Sequence, residues 1–186
     1  SPIRVIRRML VSSSSASAAA TIGMTALHGM GWTNVRAMKT AFADWVAAGN
    51  PVVEGLPEAM VLNAVEVPAE LLASVDAATI AVKDMGAHWG VLSAATFDTD
   101  MVENADLVVI DVRTAKEVEE NGYIDAPNYI NIPLEDFVAS QDMWPATDAP
   151  ITVYCGSGHR STMVMTMLLS YGYENVNSLQ GGYGAW

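Results

Sequence analysis

The feature that most restricts the fold is an alternation of short apolar runs and helical segments along residues 105–186. The run ADLVVIDVR at 105–113 is rich in β-branched residues and ends in charge, which is typical of a buried parallel strand. TAKEVEENG at 114–122 predicts a helix, because a threonine N-cap precedes early glutamates and a glycine closes the segment. The alternation continues through YINIP, APITVYC, RSTMVMTMLLSYG and ENVNSLQ. We therefore predict an α/β domain with an open parallel sheet flanked by helices.

Composition limits the size of the core and the kinds of partner. The chain has 186 residues, of which 51% are hydrophobic, enough for one core or for one core and part of a second. It carries a net charge of −12, a field that repels phosphate backbones and anionic lipid. No uninterrupted apolar stretch reaches the length of a membrane span. We expect no nucleic-acid and no membrane partner, and the oligomeric state is left open.

The cysteine and histidine content argues against a metal site. Cys155 is the only cysteine, so neither an internal disulfide nor a thiolate-rich zinc site can form within the chain. His28, His88 and His159 are far apart in sequence and lack the spacing of metal ligands. We therefore expect no metal and no cofactor.

An internal repeat relates the two ends of the chain. TIGMTALHGMGWTNVRAMKTAFADW at 21–45 aligns without a gap to TMVMTMLLSYGYENVNSLQGGYGAW at 162–186, and PIRVI near the start resembles PITVY at 150–154. The similarity continues through the turn to the last tryptophan, beyond what two apolar helices share by chance. We expect a tandem protein with an incomplete first copy. In this division residues 1–50 are the C-terminal half of an inactive domain, 51–89 are an inter-domain linker carrying at least one helix, and 90–186 are the complete domain.

The two copies differ at the most reactive position. Ser14 aligns with Cys155, and Ala19 aligns with Arg160, within the segment SSSSASAAA. Neither the nucleophile nor the cation is therefore kept in the first copy. We expect the first copy to be non-catalytic and to help shape the cleft of the second.

The segment VYCGSGHRS at 153–161 has the pattern of a reactive-cysteine loop. A strand, a glycine-bearing loop and a helix N-terminus bring backbone N–H groups and the positive end of a helix dipole to one point. Cys155 begins that loop, so these donors should stabilise its thiolate and make it nucleophilic. A lone cysteine after an apolar strand is commonly inert, but here two glycines, an arginine and a helix start follow at once.

The other loop residues have predicted roles in binding. We expect the guanidinium of Arg160 to bind an anionic substrate through two N–H groups. Whether His159 tunes the choice of donor or faces solvent is left open. The residues predicted to bind substrate are Gly156, Ser157, Gly158, His159 and Ser161.

These motifs together resemble the rhodanese-type sulfurtransferases. CGSGHRS is similar to the active-site loop of that family, which follows C-x-S-G-x-R-S, and VVIDVR is similar to its first-half signature. YINIPLEDF is similar to the central strand and turn, and GGYGAW to the closing motif. The resemblance covers about residues 90–186, and the repeat makes the whole chain similar to tandem rhodaneses of the thiosulfate sulfurtransferase type. It implies a rhodanese-like fold.

The resemblance also implies a reaction. A sulfane sulfur would pass from thiosulfate, or a similar small anionic donor, through a Cys155 persulfide to cyanide or a thiol acceptor. Cys155 and Arg160 would be the catalytic residues. Asp111 and Arg113 would be structural, tying loops together near the active-site end of the sheet. No resolving cysteine is needed, because an external acceptor removes the sulfur.

Two other functions stay open at this point. A rhodanese domain can serve as a non-catalytic binding or sensor module, although the intact cysteine and arginine speak against it. A cysteine phosphatase or arsenate reductase would space these residues as C-x5-R, whereas Cys155 and Arg160 are spaced as C-x4-R. The location is not readable from the sequence, and of the compartments we favour the cytoplasm. Export to the periplasm or out of the cell is left open, because we expect the first copy to be truncated at its N-terminus.

Overall fold

The computed structural model describes residues 16–38, 41–55, 65–85 and 88–186, without the side chains of residues 16 and 17. The helices are α1 (Ala16–Gly29), α2 (Phe42–Ala47), α3 (Ala69–Asp84), α4 (Ala94–Glu103), α5 (Ala115–Asn121) and α6 (His159–Ser170). The strands are β1 (Val91–Leu92), β2 (Val108–Asp111), β3 (Asn128–Asn131), β4 (Ile151–Tyr154) and β5 (Val176–Leu179). Across this described part of the chain, no helix is long and apolar enough to span a bilayer.

The five strands form one parallel sheet in the order β1-β5-β4-β2-β3. In the register of the sheet, Asp111 at the end of β2 lies beside Tyr154 of β4 and Asn131 of β3. All the strands therefore end at the same edge, where open α/β sheets bind their ligands. The predicted α/β class and parallel sheet are confirmed. Strand β1 and helix α4 precede the alternating pattern of residues 105–186.

Apolar side chains cover both faces of the sheet because neighbouring residues of a strand point in opposite directions. Ile110 of β2 and Val153 of β4 contribute to a large cluster that also contains residues of α1, α3 and α6. Val109 and Tyr154 contribute to a smaller cluster on the other face, with Phe97 of α4. This burial on both sides explains why β2 and β4 read as nearly continuous apolar runs.

Local sequence signals fix the helix that follows β2. The side chain of Thr114 accepts a hydrogen bond from the backbone N–H of Glu117, and the Glu117 carboxylate accepts one from the backbone N–H of Thr114. This reciprocal capping box satisfies two donors at the start of α5. Gly122 ends the helix with a φ of 76°, as the closing glycine of the sequence pattern predicts.

Helices α1 and α3 pack against α6. Ala19 and Ile22 of α1 are buried, as are Val75 and Val82 of α3, which lies within the predicted linker. The segment PIRVI at 2–6 and Ser14 lie outside the described residues. The tandem origin, the inactive first copy and the division into three segments stay predictions.

Candidate active site

Cys155 lies at the carboxyl edge of the sheet, directly after β4. Its side chain is only 1% exposed, between the end of the strand and the start of α6. The strand before it is fully buried, which holds the Cys155 backbone in place. The chain must then turn within three residues to begin α6 at His159, and this turn forms the active-site loop predicted from the sequence.

The sulfur of Cys155 faces the backbone of this loop. The N–H of Gly158 donates a hydrogen bond to Cys155 Sγ at 3.1 Å, and Sγ lies 3.8 Å from Ser161 Oγ. Gly158 has a φ of 89°, a conformation that side-chain-bearing residues rarely adopt. The sulfur thus lies where a backbone donor and the positive end of the α6 dipole both favour negative charge.

Hydroxyl groups of α6 hold the loop in this shape. Ser161 Oγ donates to the carbonyl of Gly158 at 3.0 Å, and Thr162 Oγ1 donates to the same carbonyl at 2.8 Å. Ser161 Oγ also lies 2.8 Å from Ser178 Oγ, which joins the loop to β5. Ser161 is completely buried, so its hydroxyl holds the loop from the interior of the domain. The sulfur, at 3.8 Å, is farther from this hydroxyl than the Gly158 carbonyl is.

Arg160 is held by a carboxylate that the sequence analysis did not single out. Its Nη1 and Nη2 donate to the two carboxylate oxygens of Glu117 at 2.7 Å and 2.6 Å. The hydrogen bond from Arg160 lowers the pKa of Glu117 to about 2, and the same contact raises the pKa of Arg160. The capping-box pattern places Glu117 in the first turn of α5, but no sequence signal brings that turn to the cysteine loop. The pairing depends on the fold.

We expect this ion pair to make stability depend on pH in acid. The folded state lowers the pKa of Glu117 from its usual 4.5 to about 2, so the stabilisation is present above about pH 4.5 and is lost as pH falls towards 2. Both side chains are about one-third exposed, so solvent screening should limit the effect to about 1 kcal/mol. The measurement is urea unfolding of the wild type and Glu117→Gln at pH 7 and pH 3.5. The difference should shrink at the lower pH, and an unchanged difference would contradict the assignment.

Asp111 and Arg113 form a second, fully buried pair at the same edge of the sheet. Arg113 Nη2 lies 2.6 Å from Asp111 Oδ2 and also donates to the carbonyl of Gly122 at 2.8 Å. The Arg113 guanidinium lies 4.1 Å from the centre of the Tyr183 ring. Burial lowers the pKa of Arg113, but its contacts with Asp111 outweigh that and raise it overall. These contacts join β2, the end of α5 and the C-terminal turn.

The C-terminal turn supports the cysteine loop through backbone hydrogen bonds that the sequence pattern does not predict. The backbone N–H of Tyr183 donates to the carbonyl of Cys155 at 2.6 Å, and that of Gly184 donates to the carbonyl of Gly156 at 3.0 Å. Gly182 has a φ of 58°, and a side chain there would overlap the Cys155 carbonyl. The GGYG segment therefore needs glycine to approach the loop so closely.

The remaining predicted loop residues lie on the side facing α1. Ser157, Gly158 and His159 line a small cavity of about 50 Å³, together with residues of α1, β1 and the turn after β5. His159 Nε2 lies 3.3 Å from Thr21 Oγ1, so His159 contacts the N-terminal helix. The structure thus brings all seven predicted residues of the loop together at one site, with Asp111 and Arg113 beside it.

Fold and site together define a class of protein. The fold is an α/β domain with a parallel sheet, and its site is a single buried cysteine in a tight loop at the start of a helix. Such a loop can stabilise negative charge on the cysteine sulfur or on an atom attached to it. This favours chemistry in which the cysteine is a nucleophile and carries a small group between two substrates.

The sequence profile of the Rhodanese-like domain matches residues 94–186, half of the chain, and the chain belongs to that family. Among similar proteins, thiosulfate sulfurtransferase GlpE of Stutzerimonas stutzeri is 34% identical over 86 residues, which cover 46% of this chain and 74% of the relative. GlpE of Shewanella oneidensis is also 34% identical, over 87 residues that cover 46% of this chain and 81% of the relative. The family and these relatives support sulfurtransferase activity in general.

A solved structure with similarity to this chain belongs to a rhodanese-like domain protein of Staphylococcus aureus. The two are 25% identical with a TM-score of 0.46, and the alignment covers 52% of this chain and 89% of that one. The sequence resemblance to the rhodanese-type family is thus confirmed by the profile match and the relatives.

Proposed function

We propose that this chain transfers a sulfane sulfur from thiosulfate, or a similar donor, through a persulfide on Cys155 to cyanide or a thiol. The observation that carries the proposal is the position of Cys155 Sγ, which accepts the Gly158 N–H at the N-terminus of α6. Relatives named thiosulfate sulfurtransferase support thiosulfate as a donor to test first. The partners are then a small anionic sulfur donor and a thiophilic acceptor.

In the first half-reaction the thiolate of Cys155 attacks the outer sulfur of thiosulfate. A sulfur–sulfur bond forms between the cysteine and that atom, and the bond between the two sulfurs of thiosulfate breaks. The electron pair of the broken bond leaves with sulfite, so the Cys155 persulfide carries one negative charge and sulfite carries two. The Gly158 N–H and the α6 dipole are placed to stabilise the charge near the persulfide.

In the second half-reaction the acceptor attacks the terminal sulfur of the persulfide. With cyanide, a carbon–sulfur bond forms, the persulfide bond breaks and its electron pair returns to Cys155 as the thiolate. Thiocyanate leaves, and the enzyme is ready for another donor. The chain needs no second cysteine for this cycle, which agrees with Cys155 being its only one.

The size of the loop favours sulfur over phosphoryl chemistry. The C-x4-R spacing has one residue fewer than the C-x5-R loops that surround a tetrahedral oxyanion. The loop therefore encloses a smaller space. The buried hydroxyl of Ser161 lies 3.8 Å from the sulfur and so occupies space beside it. A single added sulfur atom suits such a site better than a phosphoryl group.

The test of this proposal is steady-state kinetics with thiosulfate and cyanide. We expect thiocyanate formation with parallel double-reciprocal lines, because sulfite leaves before cyanide binds. Intersecting lines would argue for direct transfer without an enzyme persulfide. Absence of thiocyanate formation with thiosulfate and with other sulfane donors would favour the non-catalytic binding module. Phosphate release from an aryl phosphate without sulfur transfer would favour the phosphatase.

A further inference from the structure

The Glu117–Arg160 pair lies beside the cysteine loop at Gly156, and we call this position the mouth of the site. A Cβ atom placed on Gly156, the residue after the nucleophile, would lie 3.4 Å from Arg160 Nη2 and 3.8 Å from Glu117 Oε1. The carboxylate is therefore nearly as close to this position as the guanidinium is. Any group approaching Cys155 past Gly156 meets both charges.

This arrangement leaves little positive charge at the mouth of the site. Arg160 is neutralised by two short hydrogen bonds to Glu117, and the neighbouring Arg113 is neutralised by Asp111. Both arginines that the structure describes at this edge of the sheet are thus paired with carboxylates. The chain as a whole carries a charge of −12, which adds to the repulsion of anions. Close to the sulfur, the Gly158 N–H and the α6 dipole are attractive groups for an anion.

We propose that Glu117 sets the charge of the sulfur donor, making the site favour donors with one negative charge over the dianion thiosulfate. This inference rests on the proposed sulfur transfer and adds a specificity-determining residue to it. The carboxylate acts in two ways. Its two oxygens engage Nη1 and Nη2 of Arg160, which would otherwise be available to an anionic donor, and its own charge repels the donor.

The position of Glu117 allows this charge to be removed without removing its structural role. Glutamine at the third helical position keeps the capping box with Thr114, because its side-chain oxygen can accept the same backbone hydrogen bond. Glu117→Gln therefore changes the charge at the mouth and leaves the start of α5 capped. Glu119→Gln is the matched control, since Glu119 is exposed on the same helix and two residues away, which places it on a different face.

The first experiment compares two donors that differ in charge. Thiosulfate carries two negative charges and benzenethiosulfonate carries one, and in both the thiolate attacks a terminal sulfur bonded to a sulfonyl sulfur. We expect Glu117→Gln to raise the ratio of kcat/KM for thiosulfate to kcat/KM for benzenethiosulfonate by about tenfold. Glu119→Gln should leave this ratio within about twofold of the wild type.

The second experiment measures charge at Cys155 without any sulfur transfer. Because Cys155 is the only cysteine, its alkylation by anionic iodoacetate and by neutral iodoacetamide can be followed by intact mass. We expect Glu117→Gln to raise the ratio of the iodoacetate rate to the iodoacetamide rate by several-fold, whereas Glu119→Gln leaves it unchanged. A purely structural role for Glu117 would change both rates together.

The two experiments separate failure of this inference from failure of the proposed function. If the wild type transfers sulfur but neither ratio changes in Glu117→Gln, the inference is wrong and the sulfur transfer stands. If neither donor yields thiocyanate while the alkylation ratio rises, the proposed function is wrong and Glu117 still controls charge at Cys155. A fall in kcat/KM for both donors with an unchanged ratio would also overturn the inference, because it would show a structural role only.

Discussion

Cys155→Ser should lose thiocyanate formation by at least about 1,000-fold, whatever the sulfane donor. Serine keeps the shape of the side chain, but its hydroxyl is a far weaker nucleophile at neutral pH and cannot carry a sulfane sulfur. Its oxygen can still accept the Gly158 N–H that now reaches Cys155 Sγ at 3.1 Å. The measurement is the rate of thiocyanate formation from thiosulfate and cyanide, beside the urea unfolding curve of each protein.

Ser157→Ala is a matched control for this substitution. It removes a hydroxyl from the same loop, two residues from the nucleophile, and leaves the sulfur in place. We expect it to keep activity within about tenfold of the wild type. A Cys155→Ser protein that folds normally and keeps more than a few per cent of the wild-type rate would contradict a persulfide on this residue.

Gly182→Ala should lower the free energy of unfolding by about 3 kcal/mol. Gly182 has a φ of 58°, and the added methyl group would overlap the carbonyl oxygen of Cys155. That carbonyl also accepts the Tyr183 N–H, so relief of the overlap must break this contact or move the loop. The readouts are urea unfolding and the rate of sulfur transfer, and we expect both to fall.

Gly172→Ala separates the two causes of this effect. Gly172 has a φ of 88°, but a methyl group there would meet no atom within 4 Å. This substitution therefore measures backbone strain alone, which we expect to cost about 1 kcal/mol without loss of activity. If Gly182→Ala is no more destabilising than Gly172→Ala, close contact between the C-terminal turn and the Cys155 carbonyl does not stabilise the loop.

Much of the domain could be predicted because its signals are local. The β-branched run before Asp111 is buried on both faces, and the threonine and glutamate that bracket the start of α5 form the capping box. Glycine at the position before α6 adopts the positive φ that the loop requires. Each of these features depends on residues close together in the chain, so composition and spacing were enough.

The features that the sequence does not predict depend on contacts between segments that are distant in the chain. Glu117 and Arg160 are 43 residues apart and pair because the parallel sheet brings the starts of α5 and α6 to one edge. The position of the closing turn beneath Cys155 likewise depends on β5 lying next to β4. Strand β1 has only two residues, too few to show a periodic pattern. The sequence alone therefore predicts that Arg160 binds substrate and does not show its carboxylate partner.

The most direct test of the account is the intact mass of the protein after incubation with thiosulfate and removal of the excess donor. We predict an increase of about one sulfur atom, located on Cys155 by peptide mapping and absent in Cys155→Ser. Addition of cyanide should return the mass to its starting value and release one equivalent of thiocyanate. Thiocyanate formation with no mass increase on Cys155 at any donor concentration would contradict the central claim that this cysteine carries the sulfur.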